Sequence, residues 1–276
     1  MNKASFLFFL FYLSCHGLSE KYTWVDTLPN PWTLSEKEFE KFLPQFQLRF
    51  PNYLNRIKAL NIWRLDTPYG LYCLGEEVGE DKDPIIRNDS SDCTVHVLTT
   101  MAFAESSNYK EAKQAMQKIH YKKDEVGLNT PNYKSRWHFT SDRLLNNPKT
   151  IDITSSLVKT DNLETVIIEL NRKKNGEEFL KLNWTLKEKI NFIPIEKLNK
   201  NILNKLPEAC GVAFIKKNYF KLGIAVAHEG FIIDNSILFH ASSDSGKTVK
   251  VDLMNYIQVN NKYRFDGVMF FSINNT

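Results

Sequence analysis

Three apolar runs in the last third of the chain limit the folds open to it: GVAFI at 211–215, LGIAVAHEGFII at 222–233 and SILFHAS at 236–242. They are short, rich in β-branched and aromatic residues and bounded by turn formers, so they read as strands whose backbones must find partners in a sheet. Upstream, CTVHVLTTMAFAES at 93–106 is apolar without Gly or Pro and follows Ser90, Ser91 and Asp92, each able to cap a helix N-terminus. A second helical stretch, YKEAKQAMQKIH, follows Asn108. Helices first and strands second predict an α+β fold.

The chain has 276 residues, 42% of them hydrophobic and 25% charged, which is the composition of a folded protein of one or two domains. Thirty-six basic against 32 acidic side chains leave a net charge of +4 spread along the sequence. No basic footprint for nucleic acid results. Residues 1–19 combine Lys3, an apolar run from Ala4 to Leu13 and small residues at Gly17 and Ser19, the layout of a secretory signal peptide. That run is too short to span a bilayer, and no later stretch supplies a transmembrane helix. The expected location is outside the cytoplasm, in the periplasm or cell envelope. The alternative to cleavage after Ser19 is a lipid anchor at Cys15, within an imperfect Tyr-Leu-Ser-Cys lipobox.

Residues 20–60 read as an N-terminal helical extension, with an amphipathic pattern from Ser35 to Phe50, and 61–276 as the main domain. Thr67-Pro68-Tyr69-Gly70 marks a turn, and an acidic, Gly-containing loop delivers the chain to Cys93. Within the main domain, 122–200 reads as a substrate-side elaboration with strands at TIDIT and TVIIEL and a charged hairpin at RKKNGEE. FIPIEKLNKNILNKL reads as a short strand and a helix.

Beyond the leader the cysteines are Cys73, Cys93 and Cys210, an odd number, so at least one thiol is free in an exported protein; pairing of Cys73 with Cys210 stays open. Cys93 falls in the first turn of the expected helix, where unpaired N–H groups and aligned peptide dipoles favour a thiolate. A cysteine hydrolase also needs an imidazole to carry the proton and a polar group to orient it. His96 lies one turn beyond Cys93 and His120 ends a helix, which leaves His138, His228 and His240 as the better candidates. Taken one at a time, each of these residues is explained as well by packing.

Taken together and in order, TPYGLYCLGE, SDCTVHVLTTMAFAES, SRWHFTSDRL, FIPIEKL and AHEGFIIDNSILFHASSDSGKTVKVDLMNYI carry a resemblance. From Trp63 to Tyr256 the chain resembles the NlpC-type, papain-like cell-wall hydrolases, and within them the N-acetylmuramoyl-L-alanine amidase-like branch. The resemblance implies a papain-like α+β fold with the nucleophile Cys at a helix N-terminus packed on an antiparallel sheet. It implies Cys93 as nucleophile, His228 of His-Glu-Gly-Phe as general base then acid, and His240 of His-Ala-Ser as its orienting partner. The 12-residue separation of the two histidines suits a hairpin that presents both imidazoles. A register with Lys221 as base is rejected, since an unperturbed amine pKa near ~10.4 makes a poor base at neutral pH.

Tyr69 matches a family tyrosine near the active site, although a simple turn tyrosine explains it equally well, and Arg136 and His138 are candidate substrate contacts that an ion pair or structural hydrogen bond explains equally well. The expected substrate is peptidoglycan or a muropeptide, cut between N-acetylmuramic acid and L-alanine, with no metal or organic cofactor. Endopeptidase action within the stem peptide is the alternative, followed by a relative that binds cell wall without turnover. Departures from the family pattern are His96 in place of an aromatic, Glu229 and Phe231 within the usual His-Val-Gly-Ile, and Gly211-Val212 where a Gly-Asp usually opens the strand.

Overall fold

A computed structural model describes residues 20–274; the expected leader and Cys15 lie outside the described residues. The helices are α1 (Glu36–Phe39), α2 (Leu43–Arg49), α3 (Tyr53–Trp63), α4 (Cys93–Ala104), α5 (Tyr109–His120) and α6 (Thr140–Asn146), with one-turn helices over Thr154–Leu157, Lys200–Leu203 and Leu253–Ile257. The strands are β1 (Glu164–Leu170), β2 (Leu186–Pro194), β3 (Ala209–Ile215), β4 (Val226–Ile233), β5 (Ile237–Ser242), β6 (Lys247–Asp252), β7 (Gln258–Val259), β8 (Lys262–Tyr263) and β9 (Gly267–Phe271). Seven of them form one antiparallel sheet in the order β1-β2-β9-β3-β4-β5-β6, and β7 and β8 pair separately as a small hairpin. The fold is α+β, with the helix that begins at Cys93 packed against the antiparallel sheet.

Sequence explains the helix starts. Ser35 and Glu38 form a reciprocal capping box at α1, and Asn108 accepts from Glu111 N–H at α5. Of the three cap-competent residues before Cys93, Asp92 caps α4, taking Val95 N–H at 2.8 Å. The single amphipathic helix expected over 35–50 is instead two pieces, because a new helix starts at Leu43 with Pro44 in its first turn, a position where proline's missing N–H costs nothing. TIDIT is not a strand. Asp152 makes one bridge to Phe271, and Thr154, held to Phe270 by hydrogen bonds, opens a helical turn over Thr154–Leu157.

Both faces of the sheet are covered. One face, with Ala213, Phe231, Phe239 and Phe271, packs on α4, whose Val97, Leu98, Met101 and Phe103 are buried around almost its whole circumference. The opposite face, with Val212, Phe214, Ile232, Leu238 and Phe270, is covered by Ile202, Leu253 and Ile257. Residues 20–60 join the first core: Phe39 lies 4.8 Å from Trp63 and 4.4 Å from Phe103, ring centre to ring centre. Gly211, the third residue of β3, lies under the Phe271 ring of β9, where a Cβ would come within 2.0 Å of that ring, and Val212, in place of an Asp, is buried in the core of the opposite face. Cys73 and Cys210 do not pair: both are free thiols, as is Cys93.

At the centre sits Arg64, with none of its surface exposed. It donates to the His96 carbonyl at 3.2 Å, Thr100 Oγ1 at 2.7 Å, Ser91 Oγ at 2.8 Å and Thr99 Oγ1, while its own carbonyl accepts from Thr67 and Thr248. Burial pulls its guanidinium down to about 9, so it still carries its charge at neutral pH. Replacing it by Met takes the donor away from the Thr100 and Ser91 hydroxyls and from the His96 carbonyl, and Arg64→Met is expected to lower unfolding free energy by about 2–4 kcal/mol. The measurement is urea denaturation, read as a lower midpoint with an unchanged slope.

Candidate active site

The hairpin of β4 and β5 turns through Asp234 and Asn235, both left-handed with φ of 52° and 63°, conformations that Asp and Asn tolerate better than other side chains. It pairs Ile233 with Ile237 and Phe231 with Phe239, and there the two strands part. The N-terminus of α4 enters the opening: the Glu229 backbone N–H donates to Cys93 Sγ, and the Thr94 hydroxyl reaches the same sulfur. Neighbouring side chains on a strand take opposite faces, so the residue that holds the sulfur by its backbone sends its carboxylate one way while His228 points the other.

On the His228 side, its Nε2 lies 2.8 Å from His240 Nδ1, and the two rings meet edge to face. Gly230 makes this possible. Continuing the hairpin register puts it opposite His240, and a Cβ there would meet His240 Cβ at 3.0 Å and the Phe239 carbonyl oxygen at 2.6 Å. Aromatic rings enclose the pair: Phe214 stacks on His228 at 5.8 Å, Tyr256 lies 4.6 Å from His240 and 6.0 Å from His228, and Phe265 stands parallel to His228 at 6.5 Å. On the other face Glu229 is buried, ion-paired with Arg143, and accepts from Thr94 at 2.8 Å and Thr140 at 3.0 Å.

The electrostatics differ from the expectation for a cysteine at a helix N-terminus. Burial, with the negative charges of Asp92 and Glu229 behind it, pushes the Cys93 thiol up to about 12. Burial, with His240 and Arg264 adding to it, pulls His228 down to about 3, and His240 falls to about 4. The helix dipole favours a thiolate by ~1 kcal/mol, less than desolvation beside two carboxylates takes away. At neutral pH the resting site holds a thiol and two neutral imidazoles.

Tyr69 hydrogen-bonds through its backbone N–H to Gly246 and bridges to Ser91, just before Cys93. Its phenol is pushed up to about 12 by burial and then by the nearby Cys93 sulfur. Arg136 and His138 lie in a different cluster. Arg136 is buried between Glu76 and Asp81, 2.8 Å from the latter, and His138 Nε2 is 2.5 Å from the Tyr133 carbonyl oxygen. His96 is also internal, bound through Nε2 to Asn61 at 2.8 Å with its ring edge-on to Phe231. Among the described residues no group of three or more His, Cys, Asp or Glu is arranged to hold a metal ion.

Tyr256, Phe265 and Phe214 were not singled out from the sequence, although Tyr256 lies within the last of the motifs that carry the resemblance. Glu229 was visible as a departure from a pattern but not as a partner of Arg143.

The profile of the N-acetylmuramoyl-L-alanine amidase-like family matches residues 61–265, a span holding Cys93, His228 and His240. The chain belongs to that family. Membership makes it an amidase-like hydrolase of the peptidoglycan type. Solved structures share the fold at low identity. A Legionella pneumophila protein matches with a TM-score of 0.69 and 19% identity, covering 86% of this chain and 95% of its own. A Bacteroides uniformis N-acetylmuramoyl-L-alanine amidase matches at 0.57 and 20%, covering 80% and 99%. A Bacteroides fragilis protein provisionally named a xylanase matches at 0.60 and 21%, covering 78% and 99%. No curated protein matches the chain.

A neutral thiol has a characteristic alkylation profile. In a Cys73→Ser background, iodoacetamide labelling of Cys93 is expected to rise by about tenfold per unit between roughly pH 6 and 9 without levelling, following the small thiolate fraction. Labelling that has already reached a plateau near about pH 5 would mean a preformed thiolate–imidazolium pair instead.

Proposed function

We propose that the protein is an exported cysteine amidase that hydrolyses an amide bond of peptidoglycan or its fragments, with the bond between N-acetylmuramic acid and L-alanine as the favoured target. The observation that carries the reading is the opening between β4 and β5, where Cys93 Sγ meets the backbone of Glu229 directly beside a His228 held by His240. Export rests on the leader pattern of residues 1–19, and among the described residues no helix is long and apolar enough to cross a membrane. A lipid anchor at Cys15 belongs to the same proposal.

Cys93 adds to the amide carbonyl while His228 Nδ1 takes its proton. Because the pair rests neutral, transfer accompanies attack rather than preceding it. For Nδ1 to be the free base, Nε2 must hold the hydrogen and donate to His240 Nδ1, which makes His240 the residue that fixes tautomer and ring plane. The tetrahedral oxyanion is stabilised by the Cys93 backbone N–H, free at the first turn of α4, and by the Tyr69 hydroxyl. Collapse returns the proton from His228 to the leaving amine and leaves a thioester, which water, activated by the same imidazole, hydrolyses. Arg136 and His138 take no part in these steps; a contact with substrate would require them to exchange the bonds to Glu76, Asp81 and Tyr133.

Incubation with defined muropeptides, followed by mass spectrometry, tests the reading. The expected products are an L-alanyl peptide and its free sugar, absent with Cys93→Ala. Cuts inside the peptide would move the assignment to an endopeptidase, and no cleavage by the folded protein would favour a binding role. His240→Ala is expected to lower kcat by about 10²-fold or more with KM nearly unchanged, since it orients the base without meeting substrate. Steady-state kinetics on the cleaved muropeptide reads that split.

A further inference from the structure

Arg264 is the cation nearest the histidine pair that the steps above leave unused. Its backbone N–H bonds the Ile257 carbonyl at 2.9 Å, closing the base of the β7–β8 hairpin. Its guanidinium then lies 5.2 Å over the Tyr256 ring, the ring that rests on His240 and His228. Its positive charge reaches both imidazoles. Such a cation is unwelcome beside a base that must accept a proton, so its place there calls for another explanation.

Its only ion-pair partner among the described residues is Asp244, through a single 3.2 Å contact, and the two side chains are 38% and 74% exposed. A one-point pair between exposed groups contributes little and exchanges readily. The fork of N–H donors suits two-point binding of a planar carboxylate. Lys216, 5.9 Å over the adjoining Phe265 ring and with no carboxylate partner among the described residues, adds positive charge on the same aromatic wall.

We propose that Arg264 binds a carboxylate of the substrate's peptide, exchanging its contact with Asp244 for a two-point bond and anchoring an anionic stem beside the scissile amide. The assignment rests on the amidase reading for its substrate class and adds the specificity-determining group. With the carboxylate seated, the charge that lowers the basicity of His228 is neutralised, so binding of the correct peptide favours proton uptake by the base.

The test uses full-length Cys93→Ala protein and calorimetric titration with two compounds: N-acetylmuramyl-L-alanyl-D-glutamate, and the same compound with both glutamate carboxylates converted to amides. The dicarboxylate is expected to bind about tenfold more tightly, the gain of a charge-assisted bond. Adding Arg264→Gln should close that gap with the diamide affinity unchanged, and Arg264→Lys should restore part of it. A preference that survives Arg264→Gln, equal weakening of both compounds, or no measurable binding of the dicarboxylate overturns the proposal. Cleavage by the protein with Cys93 intact is read separately. Carboxylate-dependent binding without bond cleavage would remove the amidase reading and leave the Arg264 site standing.

Discussion

The arrangement depends on a buried guanidinium, Arg64, with no carboxylate among the described residues paired to it. Arg64 ends α3 and reaches across to α4 and to Ser91, so one side chain sets the distance between those two helices and the approach of the chain to Cys93. An ion in an apolar interior is costly unless its hydrogens are taken up, and here neutral hydroxyls and a carbonyl take most of them. Its own carbonyl also binds Thr67 and Thr248, which ties the Thr-Pro-Tyr-Gly turn and strand β6 to the same point. The helix that begins at Cys93 is therefore placed by polar bonds that work in one geometry, where apolar packing alone tolerates small shifts.

Against this anchor, the sheet performs a separation of charge. At one point on β4 a backbone N–H meets the sulfur, an imidazole leaves on one face and a carboxylate on the other. Glu229 never confronts His228, because strand alternation keeps them on opposite sides, and its charge is met by Arg143. The sulfur between them feels both carboxylates, Asp92 and Glu229, and stays protonated. The thiol and the two imidazoles are thus uncharged at rest, with the charges held behind them.

Cys93, His228 and His240 were singled out through a family resemblance spread over several separate motifs, because each of them alone is explained by packing. The α+β class followed from the order of helix and strand patterns. What surrounds the trio was not legible. Tyr256 reaches the histidines because its segment follows β6, the partner of β5, and Phe265 because it precedes β9, which lies beside β3. TIDIT has strand propensity, yet Thr154 bonds to the Phe270 backbone and the chain turns into a helix instead. The thiol's affinity for its proton also escaped a reading by position, since a helix N-terminus gives the sign of one contribution and burial beside two carboxylates gives another.

The hairpin between β4 and β5 works as a ruler. His228 and His240 share a face because an even number of positions separates them across a turn of fixed length, and a single inserted or deleted residue would send one imidazole through the sheet to the α4 side. The loop over 171–185, by contrast, joins β1 to β2 without such a parity to keep. Side chains in the hairpin are free to drift so long as the turn accepts them. Its length is not, and descendants of this protein that still depend on the pair must inherit that count unchanged.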